Sequence, residues 1–97
     1  MIRHVALFRW NAGVTPEQVA ELAAALAALP PRLHGLRDFR FGPDAGLVEG
    51  NADFAVVADF DDSQAYLNYR HHPAHQDVLQ RLILPISGQR MGMQLEI

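Results

Sequence analysis

Apolar positions along the chain change their period several times, and each change marks an element. Ile2 to Trp10 is apolar with Arg3, His4 and Arg9 interleaved, and Asn11-Ala12-Gly13 closes it with turn chemistry, which predicts a first strand. Thr15-Pro16-Glu17-Gln18 then supplies a helix N-cap, a proline at the first helical position and a capping-box glutamine. Val19, Leu22, Leu26 and Leu29 follow at helical spacing until Pro30-Pro31, where the helix is expected to stop.

After Gly35, Leu36 to Phe41 reads as a second strand, ended by Gly42-Pro43-Asp44. Ala52 to Phe60 reads as a third, with Asp53 and Asp59 on one side and Phe54, Val56 and Phe60 on the other. Asp61-Asp62-Ser63 caps a short helix to about His71, and Pro73 opens another whose stripe is Val78, Leu79, Leu82, Ile83 and Ile86. Gly88 is expected to end it, and Met91, Met93, Leu95 and Ile97 alternate with smaller or polar residues in a fourth strand. The order β-α-β-β-α-β predicts an α+β, ferredoxin-like protomer with both helical segments on one face of an antiparallel sheet, as one domain over residues 1–97.

The two faces of that sheet do not divide cleanly into apolar and polar. His4 shares a side with Ile2, Ala6, Phe8 and Trp10, yet Val5 and Leu7 stand on the opposite side, and Ala55 and Val57 lie behind Phe54 and Val56. A sheet with one wet face alternates cleanly, so the second face is expected to be covered by another sheet in a symmetric homodimer.

Composition narrows the chemistry. The 97 residues are 49% hydrophobic and 20% charged, suited to a packed globule. The net charge is -3, and the basic residues are scattered, so no cationic footprint for nucleic acid is present. All eight are Arg, which removes the amine required for a Schiff base. Cysteine is absent, excluding disulfides, thiolate nucleophiles and Cys-ligated metal. Ser63, Ser87 and Thr15 are the only hydroxyl residues besides tyrosine, and none sits in a nucleophile elbow, which argues against covalent catalysis. No apolar run is long enough for a membrane span, and a cytoplasmic location is expected because nothing directs export.

What remains is acid–base work or binding by His and Tyr. Tyr69-Arg70-His71-His72-Pro73-Ala74-His75 places His72 at a helix N-cap and His75 in the first turn, where a positive helix terminus opposes the imidazolium. Apolar neighbours such as Phe8 and Trp10 are expected to add desolvation in the same direction. A neutral His75 is a candidate general base, unless His72 simply caps the helix and His75 packs beneath it. His4 lies on an apolar side, where a histidine is either a hydrogen-bonded core residue or part of a site. Should His4 and His75 converge, they and a tyrosine would surround a cavity suited to an aromatic or enolisable molecule. The His72-x-x-His75 spacing is a weak metal signal because Pro73 constrains the first residue, and no metal is expected.

These residues resemble the stress-responsive dimeric α/β-barrel, or Dabb, family. The resemblance runs through Arg3 to Trp10, Gly13-Val14-Thr15, Leu29-Pro30, Gly35-Leu36, Phe39 to Gly42, Ala55 to Phe60, and Tyr69 with His72-Pro73-Ala74-His75. It implies a ferredoxin-like protomer pairing into a dimeric barrel. A plant polyketide-cyclase branch of the family performs cofactor-free aldol-type ring closure, and its functional residues match His4, Tyr69 and His75. That branch's tyrosine on the first helix has no counterpart among Ala23, Ala24 and Ala25, and Tyr66 competes with Tyr69 for the family position.

Two expectations of different kinds follow. One is a cofactor-free acid–base enzyme with His75 as base, His4 polarising a carbonyl and Tyr69 orienting the substrate, while Phe8, Trp10, Tyr66 and His72 contact it. The other is a noncatalytic dimeric module whose cavity binds a small hydrophobic molecule or is simply core. A cofactor-free monooxygenase, a chemistry this fold hosts elsewhere, is a third.

Overall fold

The computed structural model describes residues 1–97. Its elements are β1 (Ile2–Trp10), α1 (Pro16–Ala27), a 3-10 turn (Pro30–Arg32), β2 (Leu36–Pro43), β3 (Phe54–Phe60), α2 (Ser63–His71), α3 (Pro73–Val78) continued by a π-helical turn (Leu79–Ile83), and β4 (Ser87–Glu96). The strands form one antiparallel sheet in the order β2-β3-β1-β4, the ferredoxin-like arrangement.

Local chemistry sets the element starts. Thr15 accepts the Gln18 amide while the Gln18 side chain reaches back to the Thr15 amide, closing the capping box on α1. Asp62 caps α2 by accepting the Ala65 amide at 2.9 Å. Pro30 and Pro31 do not merely stop α1: the helix ends at Ala27, and the prolines open a separate 3-10 turn. Their fixed φ suits a first helical turn, where an amide donor is not required.

Three strand boundaries differ from the sequence expectation. β2 runs on to Pro43 because its partner strand continues opposite it, pairing Pro43 with Phe54. β3 starts at Phe54 because Asp53 serves as a clamp, with its amide donating to the Phe8 carbonyl and its carboxylate accepting the Trp10 amide at 2.8 Å. β4 starts at Ser87, so Gly88 lies inside the strand rather than at a helix end. A bulge at Arg9 and Trp10 lets Ser87 pair with Trp10 and extends the ladder.

The helices cover the face carrying Phe8, Phe54 and Val56, and Leu22, Leu26, Val78, Ile83 and Ile86 complete the buried core there. A second buried cluster joins Ala58 and Phe60 to Ala65, Tyr66 and Tyr69 of α2. The opposite face holds Val5 between Val57 and Met93, and Leu7 between Ala55 and Met91. Within one protomer that face is open, with Met91 74% and Met93 53% exposed. β4 therefore turns its apolar side away from the helices and its polar side, Arg90 and Gln94, towards them. No helix is long and apolar enough to cross a membrane.

Candidate functional site

A cavity of about 590 Å³ lies between the helices and the sheet, walled by α2, α3, the π turn, β1 and β4. Small residues make the space. Ala6 and Gly92 are cross-strand partners on its floor, and where larger side chains would fill it they leave an opening beside Val56. The break between α2 and α3 at His72 lets Tyr69 descend from one helix and His75 from the next. The π turn widens the following backbone and sets Leu79 and Ile83 into the wall.

His4 projects from β1 into this cavity. Gln94, its cross-strand neighbour on β4, donates its carboxamide Nε2 to His4 Nδ1 at 3.0 Å and to the Tyr66 hydroxyl at 3.1 Å. With that amide nitrogen as the donor, His4 Nδ1 accepts and the proton of the neutral ring is assigned to Nε2. Burial, followed by the charges of His75 and Arg70, pushes the His4 pKa down to about 4 against a smaller opposing pull from the Met93 backbone carbonyl.

His75 has the opposite arrangement. Its Nδ1 meets the Arg70 carbonyl at 3.2 Å, and a carbonyl only accepts, so Nδ1 holds the proton and Nε2 keeps a free lone pair. Burial is the largest cause lowering its pKa, opposed by that carbonyl and reinforced by the charges of Arg70 and His72. Tyr69 packs on His75 with ring centroids 4.2 Å apart, and on His4 at 6.0 Å. Burial pushes the Tyr69 hydroxyl pKa up, so it remains a neutral phenol. Asp77 turns away to Arg81 at 3.1 Å.

His4, Tyr69 and His75 line the one cavity, together with Phe8 and Tyr66. Both tyrosines are buried, Tyr69 against Phe60 and Tyr66 beside His4. Trp10 and His72 stand outside it, contrary to the ligand contacts expected of them. Trp10 stacks on Phe8 and Phe54 at the end of the sheet, so Tyr69 and not Trp10 is the aromatic ring against His75. His72 Nδ1 is taken by the Ala74 amide at 3.0 Å, which commits that ring to capping α3. No three His, Cys, Asp or Glu side chains gather as a metal-holding group.

Sequence reasoning missed Gln94, Gly92, Arg70 and Arg90. The signal for three of them was the alternation of the fourth strand: once Met91, Met93 and Leu95 are assigned to the side of Val5 and Leu7, Arg90, Gly92 and Gln94 must face the helices.

The family model described as the Stress responsive A/B Barrel Domain, Dabb, matches residues 2–96. The chain belongs to the Dabb family. It is 36% identical over 78 residues to an uncharacterized protein of Streptomyces coelicolor, covering 78% of this chain and 80% of that one. A solved dimeric ferredoxin-like protein of unknown function from Thermobifida fusca superposes with a TM-score of 0.92 at 45% identity, over 99% of this chain and 90% of that one. The hydroxynitrile lyase of Passiflora edulis matches with a TM-score of 0.85 over 99% of this chain and 92% of its own, but at 16% identity it shows only that the fold is shared. In this Dabb chain the His72-Pro73-Ala74-His75 segment thus supplies one capping histidine, His72, and one cavity histidine, His75.

Proposed function

We propose that this Dabb protein works as a homodimer whose protomers each bind a small aromatic or enolisable carbonyl compound in the His4–His75 cavity and move protons on it without a cofactor. The observation that carries this reading is the contrasting contacts of the two imidazoles around one space: His75 Nδ1 meets a backbone carbonyl and His4 Nδ1 meets a carboxamide nitrogen, which fits a lone pair on one Nε2 and an N–H on the other.

His75 Nε2 would take a proton from the carbon next to the carbonyl, breaking that C–H bond and becoming imidazolium. The electron pair moves to the carbonyl oxygen, where the His4 Nε2–H stabilises the enolate. Tyr69, protonated and packed on both imidazoles, orients the ring of the bound molecule. Return of the proton from His75 to carbon gives exchange or isomerisation, and attack of the enolate carbon on a second carbonyl gives an aldol-type closure in which the new alkoxide oxygen takes the proton from His75 and restores the base.

The dimer is supported by the open apolar face of Val5, Leu7, Met91, Met93 and Leu95, and by the dimeric state of the Thermobifida fusca protein. Pairing through that face leaves the cavity, on the other side of the sheet, free to take a ligand.

Incubation with 1-phenylpropan-2-one in D2O tests the chemistry, with loss of the benzylic hydrogens followed by NMR. The reading expects exchange above the buffer rate, reduced about 10²-fold or more in His75→Asn. Shifted His4 and His75 resonances without exchange would favour a noncatalytic binding module, and neither binding nor exchange would overturn the site.

A further inference from the structure

We infer that the molecule taken by this cavity carries an anionic head group, a carboxylate or phosphate, held at the mouth by Arg70 and Arg90. This rests on the reading of the cavity as a ligand site and not on turnover.

Charge is distributed unevenly in the molecule. The chain has 11 acidic residues against 8 arginines, yet no Asp or Glu lines the cavity, whereas two arginines do. Of the six arginines outside the cavity, five are partnered and only Arg32 is not. Arg3, Arg37, Arg40 and Arg81 each pair with an aspartate, and Arg9 donates to the Gly50 carbonyl. Arg70 and Arg90 have no protein partner, and they reach the cavity from two walls, the last turn of α2 and strand β4.

The end of α2 is also prepared for a negative ligand. A helix C-terminus normally presents unpaired carbonyls, which repel an anion. Here the Arg70 carbonyl is occupied by His75 Nδ1 at 3.2 Å and Gln76 Nε2 at 2.6 Å, so that carbonyl is not left bare to repel an anion. After burial, the Arg70 charge is among the lesser influences that disfavour the imidazolium of both His4 and His75, in keeping with its place at the cavity. Guanidinium groups suit flat two-oxygen faces, so a carboxylate or phosphate satisfies them and a neutral amide does not. The apolar wall of Phe8, Leu26, Val56 and Leu79 would hold the ring end.

Titration calorimetry and histidine NMR with 3-phenylpropanoate, 2-phenylethyl phosphate and 3-phenylpropanamide test this on the intact protein. The expected result is that an acid binds about tenfold or more tightly than the amide at low salt, with the gap narrowing as salt rises. Whichever acid binds more tightly identifies the head group. The double variant Arg70→Gln/Arg90→Gln should lose the preference while still binding the amide. Equal affinity for acid and amide, or a preference retained in the double variant, would overturn the head-group inference and leave the cavity reading standing. Failure of all three compounds to bind or to move the His4 and His75 resonances would overturn both.

Discussion

Gln94 and His4 are paired across β1 and β4 with the Gln94 carboxamide Nε2 3.0 Å from His4 Nδ1, and the same nitrogen lies 3.1 Å from the Tyr66 hydroxyl. One side chain thereby sets the tautomer of a histidine and ties it to α2. Gln94→Leu should free His4 Nδ1 and let the ring populate both tautomers, visible in its nitrogen shifts. With the Tyr66 and His4 acceptors left unpaired, stability should fall by about 1–2 kcal/mol in urea unfolding.

Acid should weaken the fold well above the carboxylate range. His4 stays neutral in the folded protein down to about 4 against an ordinary 6.5, so the unfolded chain binds the extra proton in that window. Stability is therefore full above about pH 6.5 and declines as pH falls towards 4, with His75 acting in the same direction. The full shift would correspond to roughly 3 kcal/mol, reduced by solvent at the cavity mouth to roughly 1–2 kcal/mol. Asp59 titrates lower still, held down by its hydrogen bonds from Arg3, so the window belongs to the histidines. Urea unfolding at about pH 7 and pH 5 should show the loss, and His4→Phe should shrink it.

Gly35 joins the 3-10 turn region to β2 with φ +74, and an added Cβ would stand 2.7 Å from the Ala65 Cβ on α2. Gly35→Ala should cost about 1–3 kcal/mol from the left-handed backbone and the clash together, lowering the melting temperature by several degrees. An unchanged melting temperature would mean that α2 does not pack this closely.

Met93 lies beside Val5 on the open face. The wild-type chain should sediment at twice 10.8 kDa, and Met93→Asp, which places a carboxylate within that face, should sediment as a monomer with unchanged helix content. A dimeric Met93→Asp protein would move the interface elsewhere.

Much of the fold was legible because the caps and periods are local. Thr15-Pro16 and Asp62-Ser63 announce helix starts, and apolar residues on both sides of β1 and β3 announce a second apolar face. His4 and His75 were legible as candidates because strand parity and the proline fixed their positions. The cavity polar groups were not, because facing requires knowing which side of β4 meets the helices, and Met91, Met93 and Leu95 would ordinarily mark the inner side. Here they mark the outer one. His72 and Trp10 were misplaced for a related reason: a helix cap and an aromatic stack are made by neighbours that residue spacing does not name.

The paired imidazoles are tested most directly by long-range proton–nitrogen correlation of the histidine rings near pH 7, with signals assigned through His4→Asn and His75→Asn. Both rings should be neutral, His75 protonated on Nδ1 with a bare Nε2, and His4 protonated on Nε2 with an accepting Nδ1. An imidazolium at either position, or the same tautomer at both, would contradict the division of the site into one base and one donor.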